Sequence, residues 1–381
     1  MHICTFTLFI KQLLVKGIST LANQHISTFA HLHIDIKVIR KLLYSVLVLL
    51  GVVVLVFVMF QGFGDPARMV VGQTGDKKTM DNIRKDMYLD QPKWRQFVLY
   101  LNDVSPLCVH SKADIEKKQL QGLFIGGETK LGLKWPYLRK SYQTKKDVGK
   151  VLMEALPGTL MLALAAMVLA TVLGILLGVL AAVKKGTWWD TSAVFASIAG
   201  ISAPSFFMAI VIAYLFGVVL HDYTGLNLTG SWYDVDDVTG EKYLTLKNII
   251  LPAFTLGIRP LAIITQLTRS SMLDVLGQDY IRTAYAKGLS KNKVIFRHGL
   301  RNALNPVVTA VTGWFAELLA GAFFVEYIFG WKGIGKVTVD ALEKLDYPVV
   351  MGSVLLSACI FIIINMLADV LYSRVDPRLR K

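Results

Sequence analysis

Cysteine and negative charge are both scarce in this sequence of 381 residues. Its three cysteines, Cys4, Cys108 and Cys359, include no pair at metal-ligand spacing, so the sequence implies no disulfide framework and no metal site. A Gly-x-x-x-x-Gly-Lys-Ser/Thr phosphate loop is also missing, as is a Ser/His/Asp or Cys/His arrangement with supporting context. We therefore predict a protein that is not an enzyme, uses no cofactor and does not itself hydrolyse ATP.

Apolar residues are abundant and occur in long blocks. They make up 54% of the chain, and the mean hydropathy is +0.50, which is too apolar for an ordinary soluble protein. The net charge is +14, but the basic residues lie largely between the apolar blocks, where they orient a membrane protein. The sequence therefore predicts contact with membrane lipid and no nucleic-acid partner.

Six of the apolar blocks approach the ~20 residues that a helix needs to cross a bilayer core of ~30 Å. They lie at about 42–60, 160–183, 192–219, 249–267, 307–324 and 349–367. The predicted fold class is an all-α integral membrane protein with six transmembrane helices. An N-terminal cytoplasmic segment at 1–41 precedes the first helix at 42–60, a long extracytoplasmic loop or small lobe spans 61–150, and a core domain with the other five helices spans 151–381.

Charge between the spans predicts the orientation. Lys37, Arg40 and Lys41 precede the first span, the stretch 282–301 is basic, and the loop 221–247 is acidic on balance. Because short cytoplasmic loops carry an excess of Lys and Arg, the basic stretch and both termini are predicted to be cytoplasmic. The acidic loop then lies on the outer side of a cell (inner) membrane that the chain crosses several times.

Two of the predicted spans contain residues that an apolar helix tolerates poorly. Pro204, beside Ser205, interrupts the third span, where it makes either a packing kink or a hinge on a pathway. Glu317 lies in the fifth span, where a carboxylate is either satisfied by packing or lines a cavity. Pro204, Ser205 and Glu317 are the candidate residues of a translocation path.

The basic stretch 278–306 lies between the fourth and fifth spans. Its first part is typical of a short helix, with Tyr280, Ala284 and Leu289 near one face and a bend at Gly288. Such a helix on the membrane surface has a shape suited to docking into a partner's groove. An ordinary basic cytoplasmic loop is the alternative.

Several stretches resemble one transporter family. The run Asp279-Tyr-Ile-Arg-Thr-Ala-Tyr-Ala-Lys-Gly-Leu289, followed by Arg301-Asn-Ala-Leu304, resembles the EAA loop of ABC importer permeases, in particular the dipeptide/oligopeptide/nickel branch. Gly62-Phe-Gly-Asp-Pro-Ala67, Val325-Glu-Tyr-Ile-Phe-Gly-Trp-Lys-Gly-Ile-Gly335 and Val375-Asp-Pro-Arg-Leu-Arg-Lys381 also resemble elements of that branch. Arg282 departs from the acidic residue of the general pattern, but resembles the variant of the peptide branch.

The resemblance implies the type I ABC importer permease architecture, with a coupling helix at 278–290 that docks on an ATP-binding subunit. The coupling residues that it implies are Asp279, Tyr280, Arg282, Thr283, Ala284, Ala286, Lys287, Gly288 and Leu289. The implied partners are a second homologous permease subunit, two ATP-binding subunits and an extracytoplasmic solute-binding protein.

The implied function is ATP-driven, binding-protein-dependent import of di- or oligopeptides. Nickel or another small solute is the alternative within the family. Two alternatives lie outside it: an ion-gradient-driven secondary transporter, with Glu317 and Asp369 as ion sites, and a membrane scaffold without transport.

Overall fold

The computed structural model describes residues 40–59, 61, 81, 84–85, 88–235 and 240–375. Most of the N-terminal segment, the Gly62–Ala67 element, the acidic residues Asp236 and Asp237, and the C-terminal end beyond Val375 lie outside this description. The chain forms two compact units, Met1–Leu55 and Val56–Lys381. Helix α1, Arg40–Met59, is the described part of the first unit and extends a few residues into the second.

A small mixed lobe follows in the second unit. It contains α2 (Lys93–Val104), β1 (Leu107–Ser111), α3 (Lys112–Lys118), β2 (Gly122–Gly126) and β3 (Thr129–Lys134). The three strands form an antiparallel sheet in the order β1–β3–β2. The all-α prediction is therefore wrong for this lobe, because alternating residues such as Leu107, exposed, and Cys108, buried, form strands.

Asp103 and Asp346 hold the lobe together and fasten it to the helices. Buried Asp103 forms ion pairs with Lys118, at 2.5 Å, and Arg139, at 3.6 Å. Asp346, near the start of the last helix, accepts hydrogen bonds from the Ser141 hydroxyl and the Tyr142 backbone N–H. The base of the lobe is thus fixed to the helical part of the same unit.

Helix α4 is a 36-residue helix, Val148–Val183, with Pro157 inside it. The Asp147 carboxylate caps its start by accepting from the Lys150 N–H at 3.1 Å. The helix begins 12 residues before the predicted span. Its first turns precede the long apolar run on which that prediction rested, but residues there, such as Val148 and Leu152, are buried against other parts of the protein.

The predicted third span is broken rather than kinked. It consists of α5 (Trp188–Ser202) and α6 (Ser205–Tyr214), which continues as a π-helical turn at Leu215–Val219, and the two parts meet at 111°. Ala203 and Pro204 are both extended, with ψ near 135°. A proline disfavours the helical conformation of the residue before it, which explains the break.

The connection from α6 to α8 contains α7 (His221–Thr224) and an antiparallel pair of strands, β4 (Tyr233–Val235) and β5 (Lys242–Leu244). A 3₁₀ turn, Leu246–Ile249, leads into α8 (Ile250–Leu276), which extends nine residues beyond the predicted fourth span.

The remaining helices are α9 (Asp279–Ala286), α10 (Lys291–Lys293), α11 (Arg301–Gly321), α12 (Phe323–Ile328), α13 (Ile334–Glu343) and α14 (Tyr347–Val375). A π-helical segment, Val294–Leu300, precedes α11. Within the described residues, four helices are long and apolar enough to cross a membrane, namely α1, α4, α8 and α14, and the bent α5–α6 pair would make a fifth.

Two glycines bring α4 and α8 into close contact at the centre of the bundle. An added Cβ at Gly174 would lie 2.8 Å from Ile264 Cγ2, and one at Gly178 would lie 2.6 Å from Thr268 Cβ and 2.7 Å from the Thr265 carbonyl. Small residues at such positions let helix backbones approach closely. Around this contact α4, α6, α8, α11 and α12 share one apolar core.

Candidate functional site

One apolar face of helix α9 packs against neighbouring segments of its own chain. Ile281 is 2% exposed and Ala284 is 7% exposed, and both pack with Val294, Leu276 and Leu289. The amphipathic pattern of the sequence therefore fixes this short helix against the π-helical segment before α11. Its other face is left exposed.

The exposed face carries most of the predicted coupling residues. These are Asp279, Arg282, Thr283, Ala286, Lys287 and Gly288, together with Tyr285, which the sequence reasoning did not include. Ala284 points into the chain's own core, so its small side chain serves internal packing. Tyr280, placed with Ala284 on one face by the sequence, is 42% exposed, and its hydroxyl accepts a hydrogen bond from Asn302 Nδ2 at 2.9 Å.

Gly288 ends the helix with a left-handed backbone. Its φ is +76°, its N–H donates to the Tyr285 carbonyl at 2.9 Å, and the Leu289 N–H donates to the Ala284 carbonyl. This confirms the predicted bend at Gly288, which has a backbone angle that residues with a side chain resist. An added Cβ would meet nothing within 4 Å. Within this chain, a larger residue at this position is therefore disfavoured by the backbone angle and not by a collision.

An ion pair that the sequence reasoning missed lies behind this segment. The Arg269 guanidinium on α8 donates from Nε to Asp190 Oδ1 at 2.5 Å and from Nη2 to Oδ2 at 3.0 Å. The Gly186 N–H also donates to Oδ2 at 3.0 Å. Asp190 is buried near the start of α5, so the pair joins α5 to the end of α8 that leads into α9.

A cavity of about 110 Å³ lies where α5, α6, α8 and α11 meet. It has room for several water molecules. Two of the three candidate path residues line it, Ser205 at the start of α6 and Glu317 on α11. Pro204 is exposed beside them at the break and is not a lining residue.

Arg259 also lines this cavity and was missed by the sequence reasoning. It lies inside the predicted fourth span, so the rule that singled out Glu317, a charge within an apolar block, would have found it. Within the described part of the chain, neither Arg259 nor Glu317 forms an ion pair within 4 Å. The cavity therefore presents one positive and one negative side chain.

Glu326 on α12 is a fully buried carboxylate, whereas Glu317 on α11 is exposed. Glu326 Oε2 accepts from the Gly335 N–H at 2.7 Å and the Lys336 N–H at 3.2 Å, at the start of α13. Burial raises the pKa of Glu326 to about 7. Trp331 Nε1 donates to the Gly158 carbonyl at 2.9 Å, so this bond fastens the glycine-containing motif Val325–Gly335 to α4.

Among the described residues no group of three or more His, Cys, Asp or Glu side chains could hold a metal ion. His31, His33 and Asp35, which alternate along the N-terminal segment and could be read as metal ligands, lie outside the described residues.

Long apolar helices, a short amphipathic helix between α8 and α11 and a cavity with charged walls are typical of a multi-pass helical membrane protein. The family described as "binding-protein-dependent transport system inner membrane component" matches residues 174–381, and its N-terminal counterpart matches residues 36–113. The chain belongs to this family, which confirms the resemblance found in its sequence.

Named relatives are similar over most of the chain. The dipeptide transport system permease protein DppB of Escherichia coli K12 is 36% identical, over 90% of this chain and 98% of its own length. DppB of Alkalihalophilus pseudofirmus is 31% identical over the same shares, and the glutathione transport system permease protein GsiC of E. coli K12 is 34% identical over 90% and 98%.

Proposed function

We propose that this chain is a membrane-spanning permease subunit of an ATP-driven importer for di- or oligopeptides. The observation that carries the proposal is the similarity of the chain, along nine-tenths of its length, to permeases named for dipeptide and glutathione transport. The solute crosses between helices of this subunit and a second, homologous permease.

Helix α9 couples the subunit to its energy source. Its exposed face docks on one of two ATP-binding subunits, which supply the hydrolysis that this chain does not perform. The packing of α9 supports this role, because its buried residues Ile281 and Ala284 hold it at the end of α8. A displacement of its exposed face would therefore also move the bundle. Movement of the bundle between two access states then passes on the solute, which an extracytoplasmic solute-binding protein delivers.

Six spans complete the proposed topology. α11 is the sixth span, in addition to α1, α4, the α5–α6 pair, α8 and α14. Both termini and α9 are then cytoplasmic, and the lobe at 88–147 is on the outer side. The basic residues around α9, among them Arg282, Lys287 and Lys291, support this orientation.

Peptide uptake tests the proposal. In cells that lack other peptide importers, we expect uptake of labelled dialanine only when this chain is produced with a second permease, the ATP-binding subunits and the binding protein. A variant ATP-binding subunit that cannot hydrolyse ATP should abolish the uptake. A protonophore that leaves cellular ATP intact should not.

The opposite result separates the alternatives. Uptake by this chain alone that stops with the protonophore would indicate a secondary transporter. ATP-dependent uptake of nickel in place of dialanine would indicate the other solute class of the family.

A further inference from the structure

The cavity where α5, α6, α8 and α11 meet carries two opposite charges that the proposed function does not use. We propose that Arg259 binds the terminal carboxylate of a transported dipeptide and that Glu317 binds its terminal ammonium group. This inference rests on the proposed function, because it takes a short peptide as the solute. It makes the two residues determinants of which solutes enter the path.

The two side chains are difficult to explain by the fold alone. Both are exposed and line the cavity, both lie in helices of the bundle, and within the described residues neither has an ionic partner inside 4 Å. Charges at membrane depth are costly and are kept where they face a cavity or a substrate. Asp190 and Arg269, in contrast, neutralise each other directly.

A dipeptide at neutral pH offers matching groups, since its amino and carboxyl ends are both charged. A guanidinium can hold a carboxylate with two parallel N–H···O bonds, which a lysine cannot do. Apart from Ser205 and Thr255, the rest of the wall, including Met208, Trp314 and Leu318, is apolar and suits side chains of varied shape. The terminal charges would thus supply most of the specific contacts.

A backbone acceptor adds to the site. Pro260 has no N–H, so the carbonyl of Leu256, four residues earlier, lacks its usual donor within α8. Leu256 is itself a lining residue. A carbonyl without this intrahelical donor can accept a hydrogen bond from the ammonium or amide N–H of a peptide.

The same charges disfavour other solutes. A divalent cation would meet one carboxylate and the repelling charge of Arg259, and none of the described lining residues is a histidine or a cysteine. A simple anion would meet Glu317. A solute with both charges satisfies both residues at once.

Equilibrium binding to the purified importer complex, without the binding protein, tests the assignment. Labelled dialanine is the probe, and N-acetyl-dialanine, dialanine amide and free alanine are the competitors. For the wild type we expect dialanine to compete about tenfold or more better than any of these, the magnitude typical of hydrogen bonds to charged groups.

Each variant should erase one preference only. In Arg259→Gln, dialanine should bind no better than the amide while still binding better than the acetylated peptide. In Glu317→Gln, the reverse is expected. Arg259→Lys, which keeps the charge, should retain part of the preference for a free carboxylate, and so tests the assignment even if Arg259→Gln fails to assemble.

Arg95→Gln and Glu116→Gln, exposed charges of the lobe, are matched controls and should leave all preferences unchanged. Equal losses for every competitor in Arg259→Gln and Glu317→Gln, or an equal affinity of the wild type for dialanine and alanine, would overturn the inference while dialanine uptake still upheld the proposed function. Absence of dialanine uptake by the wild-type complex would instead overturn the proposed function.

Discussion

Asp190 and Arg269 form an ion pair, so the removal of either charge leaves the other without its counter-ion. Removing one partner of a fully buried pair costs about 3–5 kcal/mol, because the remaining charge is left without a counter-ion. Since the Arg269 side chain is 27% exposed, we expect Arg269→Gln to lower the free energy of unfolding by about 1–3 kcal/mol. Thermal unfolding of the purified protein measures this.

A double variant controls for the loss of size and packing. Asp190→Asn combined with Arg269→Gln removes both charges, so it should be more stable than Arg269→Gln alone. A double variant as unstable as the sum of the single variants would show that the pair contributes no coupling energy.

Glu326 gives the protein a pH-dependent stability. Burial raises the pKa of its carboxyl from an ordinary 4.5 to about 7, so between these values the folded protein holds a proton that the unfolded chain has released. Stability therefore falls as pH rises through this window, by at most about 3 kcal/mol from this group. Glu326→Gln cannot titrate, and its unfolding midpoint should change less between pH 5 and pH 8 than that of the wild type. Parallel pH profiles would contradict this.

Gly288 should matter to coupling through its backbone. We expect Gly288→Val to strain the left-handed turn by about 1–2 kcal/mol and to weaken binding of the ATP-binding subunit. Gly225→Val is a matched control, because Gly225 has a φ of +62° and open surroundings but lies outside the coupling segment. Co-purification of the ATP-binding subunit and solute-stimulated ATP hydrolysis are the measurements. Equal effects of both variants would remove Gly288 from the coupling surface.

At the residue scale, what the sequence could predict depends on whether the signal is local. Gly288 was predictable because a glycine after a short amphipathic run typically ends a helix. Arg259 was equally visible, as an arginine inside an apolar block. The pairing of Asp190 with Arg269 was not, because 79 residues separate them and only the packing of α5 on α8 brings them together.

Close packing between two elements is testable at Gly178. We expect Gly178→Ala to destabilise the protein by about 1–3 kcal/mol, because the new methyl group would collide with Thr268 and with the Thr265 carbonyl of α8. Gly313→Ala is the control: Gly313 also lies within a helix, but nothing lies within 4 Å of its added Cβ. That change should be neutral or stabilise by about 0.5–1 kcal/mol. Equal destabilisation by both would contradict close packing at Gly178.

The elements themselves were only partly predictable. Apolar runs identified the blocks that became α1, α4, α8 and α14, but not their ends, because α4 and α8 extend into polar stretches that are stabilised by tertiary contacts. The break at Pro204 was predictable as an interruption, although not as a turn of 111°. The strands of the lobe are short and lie in a polar stretch, so no long periodic pattern marked them.

At the scale of the whole molecule, the orientation of the helices is open to a direct test. We expect a membrane-impermeant thiol reagent to label Tyr223→Cys from outside intact cells and to label Lys291→Cys only after the cells are opened. Tyr223 is 88% exposed, and Lys291 is also exposed, so accessibility does not limit either reaction. Both changes are made in a variant without the native cysteines. The reverse pattern of labelling would invert the proposed topology.

The glycine contact between α4 and α8 has a mechanical consequence. Two long helices whose backbones approach closely at Gly174 and Gly178 cannot slide or separate without losing that contact, so we expect them to move together as one rigid unit. If α9 docks on an ATP-binding subunit as proposed, we expect its displacement to move both helices. We expect relative movement of the helices to occur instead at Ala203 and Pro204, where two extended residues interrupt the helix, and this break borders the cavity through Ala203 and Ser205.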